Sequence, residues 1–305
     1  MPAVILAAMS FSGKQPREQM TPAQARRDHL VGVLCVLAAA ACFALAGIFI
    51  KLTPWSALSV SSGRSIFAVA AIYAYMRIKG EHLVFNKVTL LATVVNFIVM
   101  QTFVTANKLT SSANVIVLQF TEPIWVILLI WLIFRNKPTK AAVITCVAVF
   151  AGIVCFFIEQ MSPDGVAGCI LALISGVSYA GVFLYKKIPG CHFLSAILYS
   201  CAICFFIGLP SVVQETAWTW EVFVCLLVLG AVQQGAAYIF LDRGLDSVSP
   251  VTASLTSMLE PVLNPILAAI VLGETLGPMS VFGAVLVIGA STIYNVYEAK
   301  KEPSA

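Results

Sequence analysis

Residues 107–123 read NKLTSSANVIVLQFTEP, and residues 245–261 read LDSVSPVTASLTSMLEP. The two stretches align at an offset of 138 and end on the same pair, Glu122-Pro123 and Glu260-Pro261, each in the middle of a long apolar run. The offset extends outward. Asn96 falls on Gln234 and Met100 on Tyr238 at the same spacing, and Gly32–Leu52 matches Gly168–Ile188 at 136, with Phe43 over Tyr179 and Lys51 over Lys187. The chain is therefore an internal duplication, and its apolar runs set what is duplicated.

Of 305 residues, 60% are apolar and only 10% charged. A soluble domain carries roughly 25% charged residues, so this chain could not cover a water-facing surface. Crossing a bilayer takes about 20 apolar residues in a helix. Such runs occur near 30–51, 56–77, 88–107, 111–134, 140–158, 165–186, 193–213, 221–241, 248–272 and 279–297, separated by turn or charged residues such as Pro54, Gly80-Glu81, Lys137-Pro138, Pro189-Gly190 and Gly277-Pro278. The expected fold is an all-α polytopic membrane protein of ten transmembrane helices. It divides into a cytoplasmic, disordered tail (1–29), two five-helix repeats (30–158 and 159–297) and a short cytoplasmic tail (298–305). Five is odd, so the second repeat enters the membrane from the opposite side. That is inverted-repeat topology, whose usual consequence is a midplane site between the halves that opens alternately to each side.

Orientation follows from the basic residues of the loops. With the N-terminus in the cytoplasm, fifteen Lys and Arg fall inside, among them Arg26, Arg27, Arg77, Lys79, Arg135, Lys186 and Lys187, against Lys51 and Lys108 outside. Both termini are expected in the cytoplasm of a bacterial inner (plasma) membrane. Met1–Met9 is too short to span, and its basic residues follow rather than precede it, unlike a secretory signal. It reads as a disordered extension, or as sequence ahead of a native start at Met20, which the intact mass of the natively expressed protein decides.

Three charged side chains lie in the interior of the apolar runs, away from their ends: Arg64, Glu122 and Glu260. Each costs roughly 2.5–3.5 kcal/mol at a helix centre on insertion scales, so each needs a reason. The glutamates either form a site or proton relay facing the interior, or hydrogen-bond a neighbouring helix beside the carbonyl that Pro frees. Arg64 is either a substrate anchor or an ion-pair partner. Thr252, Thr256, Glu260 and Asn264 recur at i, i+4 and share one helix face, which either lines a cavity or bonds a neighbour. Asn96, Asn107, Gln233, Gln234 and Tyr238 could complete that cavity, and Gln119 lies off the corresponding face. Phe43, Trp125, Tyr179 and Tyr238 could stack on a planar or cationic ligand or simply pack. The candidate substrate-binding set is Asn96, Glu122, Trp125, Tyr179, Gln234, Tyr238, Thr256, Glu260 and Asn264, with Arg64 as anchor. Trp55, Trp218 and Trp220 at span ends read as interfacial anchors.

Other classes find little support. The basic residues form no continuous nucleic-acid face. No Walker A motif occurs, nor H-E-x-x-H, and His29, His82 and His192 sit at cytoplasmic ends. The nine cysteines show no zinc spacing, and Cys201-x-x-Cys204 reads as two small residues in a lipid-embedded helix. No cofactor, metal or catalytic role is expected.

The stretches TSSANVIVLQFTEPIWVILLIWLIF (110–134), SPVTASLTSMLEPVLNPILAAIVLGETL (249–276) and SSGRSIF (61–67) resemble an EamA-type member of the drug/metabolite transporter superfamily, a resemblance spanning residues 30–297. It implies a ten-helix carrier with a central cavity that exports or exchanges small metabolites. The second repeat closes its fourth span with the family's Gly273-Glu274, whereas the first has Arg135-Asn136. The expected function is secondary active or exchange transport of small organic metabolites, amino acids or related compounds favoured. Proton coupling is possible, membrane lipids are the surroundings, and the state is monomer or homodimer. A lipid flippase of the same fold and an intramembrane enzyme are the alternatives.

Overall fold

The computed structural model describes residues 22–110, 112–158, 165–263 and 277–301. Asn264 of the candidate set and part of the ninth apolar run lie outside them. Every regular element among the described residues is helical. In chain order these are α1 (Pro22–Phe43), α2 (Ala46–Leu52), α3 (Ala57–Lys79), α4 (Lys87–Leu109), α5 (Ser112–Gln119), α6 (Glu122–Phe134), α7 (Lys140–Phe157), α8 (Val166–Leu184), α9 (Phe193–Gln214), α10 (Trp220–Leu227), a π-helix (Val228–Ala236), α11 (Ala237–Leu245), α12 (Pro250–Ser257) and α13 (Pro278–Lys301). Seven helical segments are long and apolar enough to cross a membrane, and Lys140–Cys155 is a shorter apolar one. Large apolar side chains such as Leu132, Ile144, Phe206 and Val213 stand exposed around the bundle. Only a hydrocarbon solvent makes such a surface favourable.

Side-chain caps fix where several helices begin. Ser56, Asn86, Thr139, Thr219 and Ser249 each accept a backbone N–H of the first turn. The first helix starts at Pro22, so residues 22–29 belong to it and not to the tail expected from sequence. Ala-Gln-Ala-Arg-Arg is a run of good helix formers that can extend a span into water.

Three apolar runs that read as single spans are broken. The first bends at Ala44-Leu45 between α1 and α2. The fourth breaks between α5 and α6, because Pro123 has no N–H to give the Gln119 carbonyl, and Thr121 N turns back to Leu118 O at 3.3 Å. The ninth breaks likewise at Met258-Leu259, where Leu259 N bonds Thr256 O at 3.3 Å, and residues 260–263 are helical again. Gly176 of α8 lies against the break: a Cβ there would stand 2.7 Å from Gln119 O, the carbonyl that Pro123 leaves open, and 3.0 Å from Leu118 O.

The packing maps onto itself when the halves are exchanged. α4 packs on α8 and, in the matching positions, α11 packs on α1. The π-helix packs on α3 as α4 packs on α9, and α5–α6 lie on α8 as α12 lies on α1. α3 with α9, and α7 with α13, pair across the relation with their own counterparts. Reciprocal contacts of this kind are the signature of a two-fold.

The exchange also explains Arg135. It ends α6 with φ 58, the left-handed conformation usually given to glycine, and glycine is what the second repeat has at the matching Gly273. Arg135→Gly is expected to raise the melting temperature in detergent, by relieving about 1 kcal/mol of backbone strain. Gly176→Val is expected to lower it, by about 1–3 kcal/mol of overpacking against backbone that cannot retreat. No loss of stability in Gly176→Val would mean that α8 does not seat on the break.

Candidate functional site

The repeat alignment paired Asn96 with Gln234 and Met100 with Tyr238. The structure joins these four crosswise. Tyr238 Oη donates to Asn96 Oδ1 at 3.2 Å, and Gln234 Nε2 donates to Met100 Sδ at 3.9 Å. Exchanging the halves turns one bond into the other, so the pseudo-axis passes between α4 and the π-helix–α11 segment. Around it lies a buried polar group drawn from both halves. Asn96 Nδ2 also reaches Ser200 Oγ at 2.6 Å and Met100 Sδ at 3.9 Å. Gln101 Nε2 reaches Cys204 Sγ at 3.4 Å, and Cys204 Sγ meets Met100 Sδ at 3.6 Å. Arg64 is 8% exposed and donates from Nη1 to Gln233 Oε1 at 3.0 Å. Among the described residues it forms no ion pair, and its Nε is buried without a partner.

The π-helix makes this arrangement. Gly230 sits so close to α3 that a Cβ would collide with the Arg64 carbonyl, and Gly235 would touch Ala71. The wider turn, a form frequent at functional sites, presents Gln233 to Arg64 and Gln234 to Met100 from one helix.

The two mid-span glutamates are placed alike and partnered differently. Glu122 is fully buried at the start of α6, and its Oε2 accepts the Ser254 hydroxyl at 2.8 Å while Oε1 has no partner. The residue matching Ser254 is Ile116, which offers Glu260 nothing. Glu260 Oε2 is buried without a partner, although the residue as a whole is only partly buried. The glutamates lie within electrostatic reach of each other, Tyr179 lies within reach of both, and Tyr238 lies within reach of Glu260 and Arg64. Tyr238 meets Phe43 edge-on at 5.2 Å, and Tyr179 meets Phe183 at 5.3 Å. Trp125 is pinned by Nε1 to Thr121 Oγ1 at 3.1 Å.

Thr256 points elsewhere. Its hydroxyl bonds Thr252 O at 2.6 Å and Asn295 of α13 at 3.1 Å, so this part of the i, i+4 face joins the last helix. Gln119 also joins helices, donating to Ser175 at 3.0 Å. Ser200, Gln101 and Ser254 were not singled out from sequence, because each is a small or common residue whose role depends on a partner over 100 positions away, and Cys204 was read only as a small residue of the C-x-x-C pair. Met100 was flagged only by its place opposite Tyr238.

The two ends of the bundle differ. At one, Lys186 bridges Asp242 at 2.8 Å and Asp246 at 2.7 Å. Beside it Arg243 donates to Tyr75 Oη at 2.6 Å, lies over its ring, and faces Glu81 at 3.7 Å. At the other end Trp55 is buried, not an interfacial anchor. It meets Trp218 at 4.6 Å and donates to Ala217 O at 2.9 Å, because the turn after α2 folds it under the loop from the second half. Glu215 accepts from Ser56 N at 2.9 Å, and hydrogen bonds from Ser59 and Ser56 hold its carboxyl below the usual carboxylate range.

A family model for EamA-like transporters matches residues 30–158 and again 166–296. The chain belongs to the EamA-like transporter family. It is thus a multi-pass membrane transporter and not an enzyme. No curated protein matches it significantly. A solved structure described only as a crystal structure of a protein superposes with a TM-score of 0.73 over 88% of this chain and 98% of its own, at 14% identity, and so speaks for the fold alone.

In this EamA-like chain the Ser254–Glu122 bond ties the start of α6 directly to α12. Ser254→Ala would leave the Glu122 carboxyl wholly unpartnered and is expected to cost about 1–3 kcal/mol. In Glu122→Gln/Ser254→Ala the two losses should be less than additive, measured as melting temperatures in detergent. Strict additivity would mean the bond carries no coupling.

Proposed function

We propose that this protein is a secondary active or exchange transporter of small organic metabolites, with amino acids or related zwitterions favoured. In this reading it has ten transmembrane helices in two inverted halves, both termini in the cytoplasm of a bacterial inner membrane, and a midplane site opened alternately to each side. The observation that carries the reading is the crosswise bonding of Asn96 with Tyr238 and Met100 with Gln234. Polar groups from both halves meet on the pseudo-axis, where inverted-repeat carriers place substrate.

The charge pattern supports the substrate class. An arginine with an unspent donor and two carboxyls with unpartnered oxygens bracket Tyr238 and Tyr179. A molecule with a cationic and an anionic end would satisfy both sides, with the glutamates as the cation's partners. A phosphorylated substrate would call for several cations, and Arg64 stands without another in the interior of the apolar runs. The same unpartnered carboxyl oxygens support proton coupling through Glu122 or Glu260. In the proposed orientation the Lys186–Asp242–Asp246 and Arg243–Glu81 contacts close the cytoplasmic end, and alternating access requires them to break.

The test is ligand-induced thermal stabilisation of the purified protein with amino acids, nucleobases, polyamines and quaternary amines. A ligand at a hundred times its Kd stabilises the folded state by about 2.7 kcal/mol. An amino acid is expected to raise the melting temperature, and Glu260→Gln or Tyr238→Ala, still folded, to lose the shift. A hit that survives both substitutions would move the site away from the axis. Transport of the hit into proteoliposomes is expected to change across about pH 5–8 if a buried carboxyl couples it; a flat profile would remove proton coupling.

A further inference from the structure

Two amide donors around Met100 end on sulfur. Buried Gln234 Nε2 points at Met100 Sδ at 3.9 Å and partly buried Gln101 Nε2 at Cys204 Sγ at 3.4 Å, whereas Asn96 Nδ2, also 3.9 Å from Met100 Sδ, has Ser200 Oγ at 2.6 Å. Thioether and thiol sulfurs are weak acceptors. Amide N–H groups in a waterless interior ordinarily find oxygen, because an unmet donor there is unfavourable. Beside them the Arg64 guanidinium, more than nine-tenths buried, spends one donor on Gln233 and leaves Nε without a partner. Gln234 is 3% exposed and its Oε1 is unpartnered as well. Arg64 lies within electrostatic reach of Cys201, Cys204 and Tyr238, so its charge bears on the same space. A bundle held together by packing alone would have filled these positions with apolar side chains.

We propose that Arg64, Gln101 and Gln234 form the subsite for the substrate's carboxylate, with Met100 and Cys204 holding the amide donors until it arrives. This rests on the reading of the axial cluster as the transport site and adds which end of the substrate goes where. A carboxylate brings two oxygens that accept several N–H groups at once, and it neutralises the arginine, which has no acid beside it among the described residues. Gln233 is a positioning residue: its Oε1 accepts from Nη1 and holds the guanidinium in place. The glutamates, beyond Tyr238, are left to the cationic end.

Cys204 reports on this subsite without the substrate being known. In proteoliposomes of a variant keeping Cys204 as its only cysteine, labelling is measured with an anionic and a cationic methanethiosulfonate, each rate normalised to that with a free thiol. The anionic reagent is expected to react about tenfold faster or more. Arg64→Gln should erase the preference, and Arg64→Lys should keep it. Equal or cation-favouring rates would overturn the carboxylate subsite while leaving the axial cavity intact. No reaction with either reagent would remove the reading of the cluster as a place reached from water. Independently, in the wild-type protein, an amino acid that stabilises should lose about tenfold or more in apparent affinity as its amide or its decarboxylated amine. Equal affinity of acid, amide and amine would overturn the subsite even if Arg64→Gln failed to fold.

Discussion

The hydrogen bond from Tyr238 to Asn96, with its mate from Gln234 to Met100, ties the two halves at a place where each faces its own counterpart. A bundle in lipid cannot leave polar groups to water, so each must be answered from within. Placing them on a two-fold answers two at once, since whatever one half offers, the other accepts. The rest of the packing follows the same exchange. α4 lies on α8 as α11 lies on α1, and neither half could keep that arrangement without the other.

The Glu-Pro pairs show how one local rule serves both repeats. Each proline cannot bond the carbonyl four residues back, so each long span breaks at mid-depth and leaves backbone acceptors open. In the first repeat Gly176 lets α8 close over those carbonyls. The glutamate ahead of the proline then begins the next helix facing inward. The charge is thus set by backbone geometry rather than by a favourable pocket, and among the described residues Glu122 alone of the two meets a hydroxyl.

The duplication, the helical class and the mid-depth charges were legible because each is a matter of composition or spacing within one segment. The pairing of residues 96 and 238 was half legible: the repeat put Asn96 opposite Gln234 and Met100 opposite Tyr238, but not that the bonds would cross. The helix breaks at Thr121 and Leu259 follow from the prolines, yet an unbroken apolar run hides them. What lay beyond the sequence was partner choice across long separations. Ser254 sits off the Thr252–Thr256 row and bonds Glu122 from the other half, while Thr256, which the row placed toward a cavity, bonds Asn295. Trp55 has an anchor's position at a span end, and only the loop that covers it makes it core.

A carrier whose halves were identical would balance its two open states by symmetry, because exchanging the halves would convert one into the other. Any bias must then come from positions where the repeats differ. Ile116 stands where the other half has Ser254, so among the described residues one mid-depth carboxyl accepts a hydroxyl and the other keeps a buried oxygen without a partner. One end of the bundle is joined by Lys186, Asp242, Asp246, Arg243 and Glu81, the other by Trp55, Trp218 and the hydrogen bonds of Ser56 and Ser59 to Glu215. Residues matching Asp242 and Arg243 are Val104 and Thr105, which cannot form ion pairs. Breaking the charged end exposes several ions to water, which lessens the loss, whereas breaking the aromatic end exposes apolar rings, which does not. The two ends of the bundle therefore respond differently to salt and to charge.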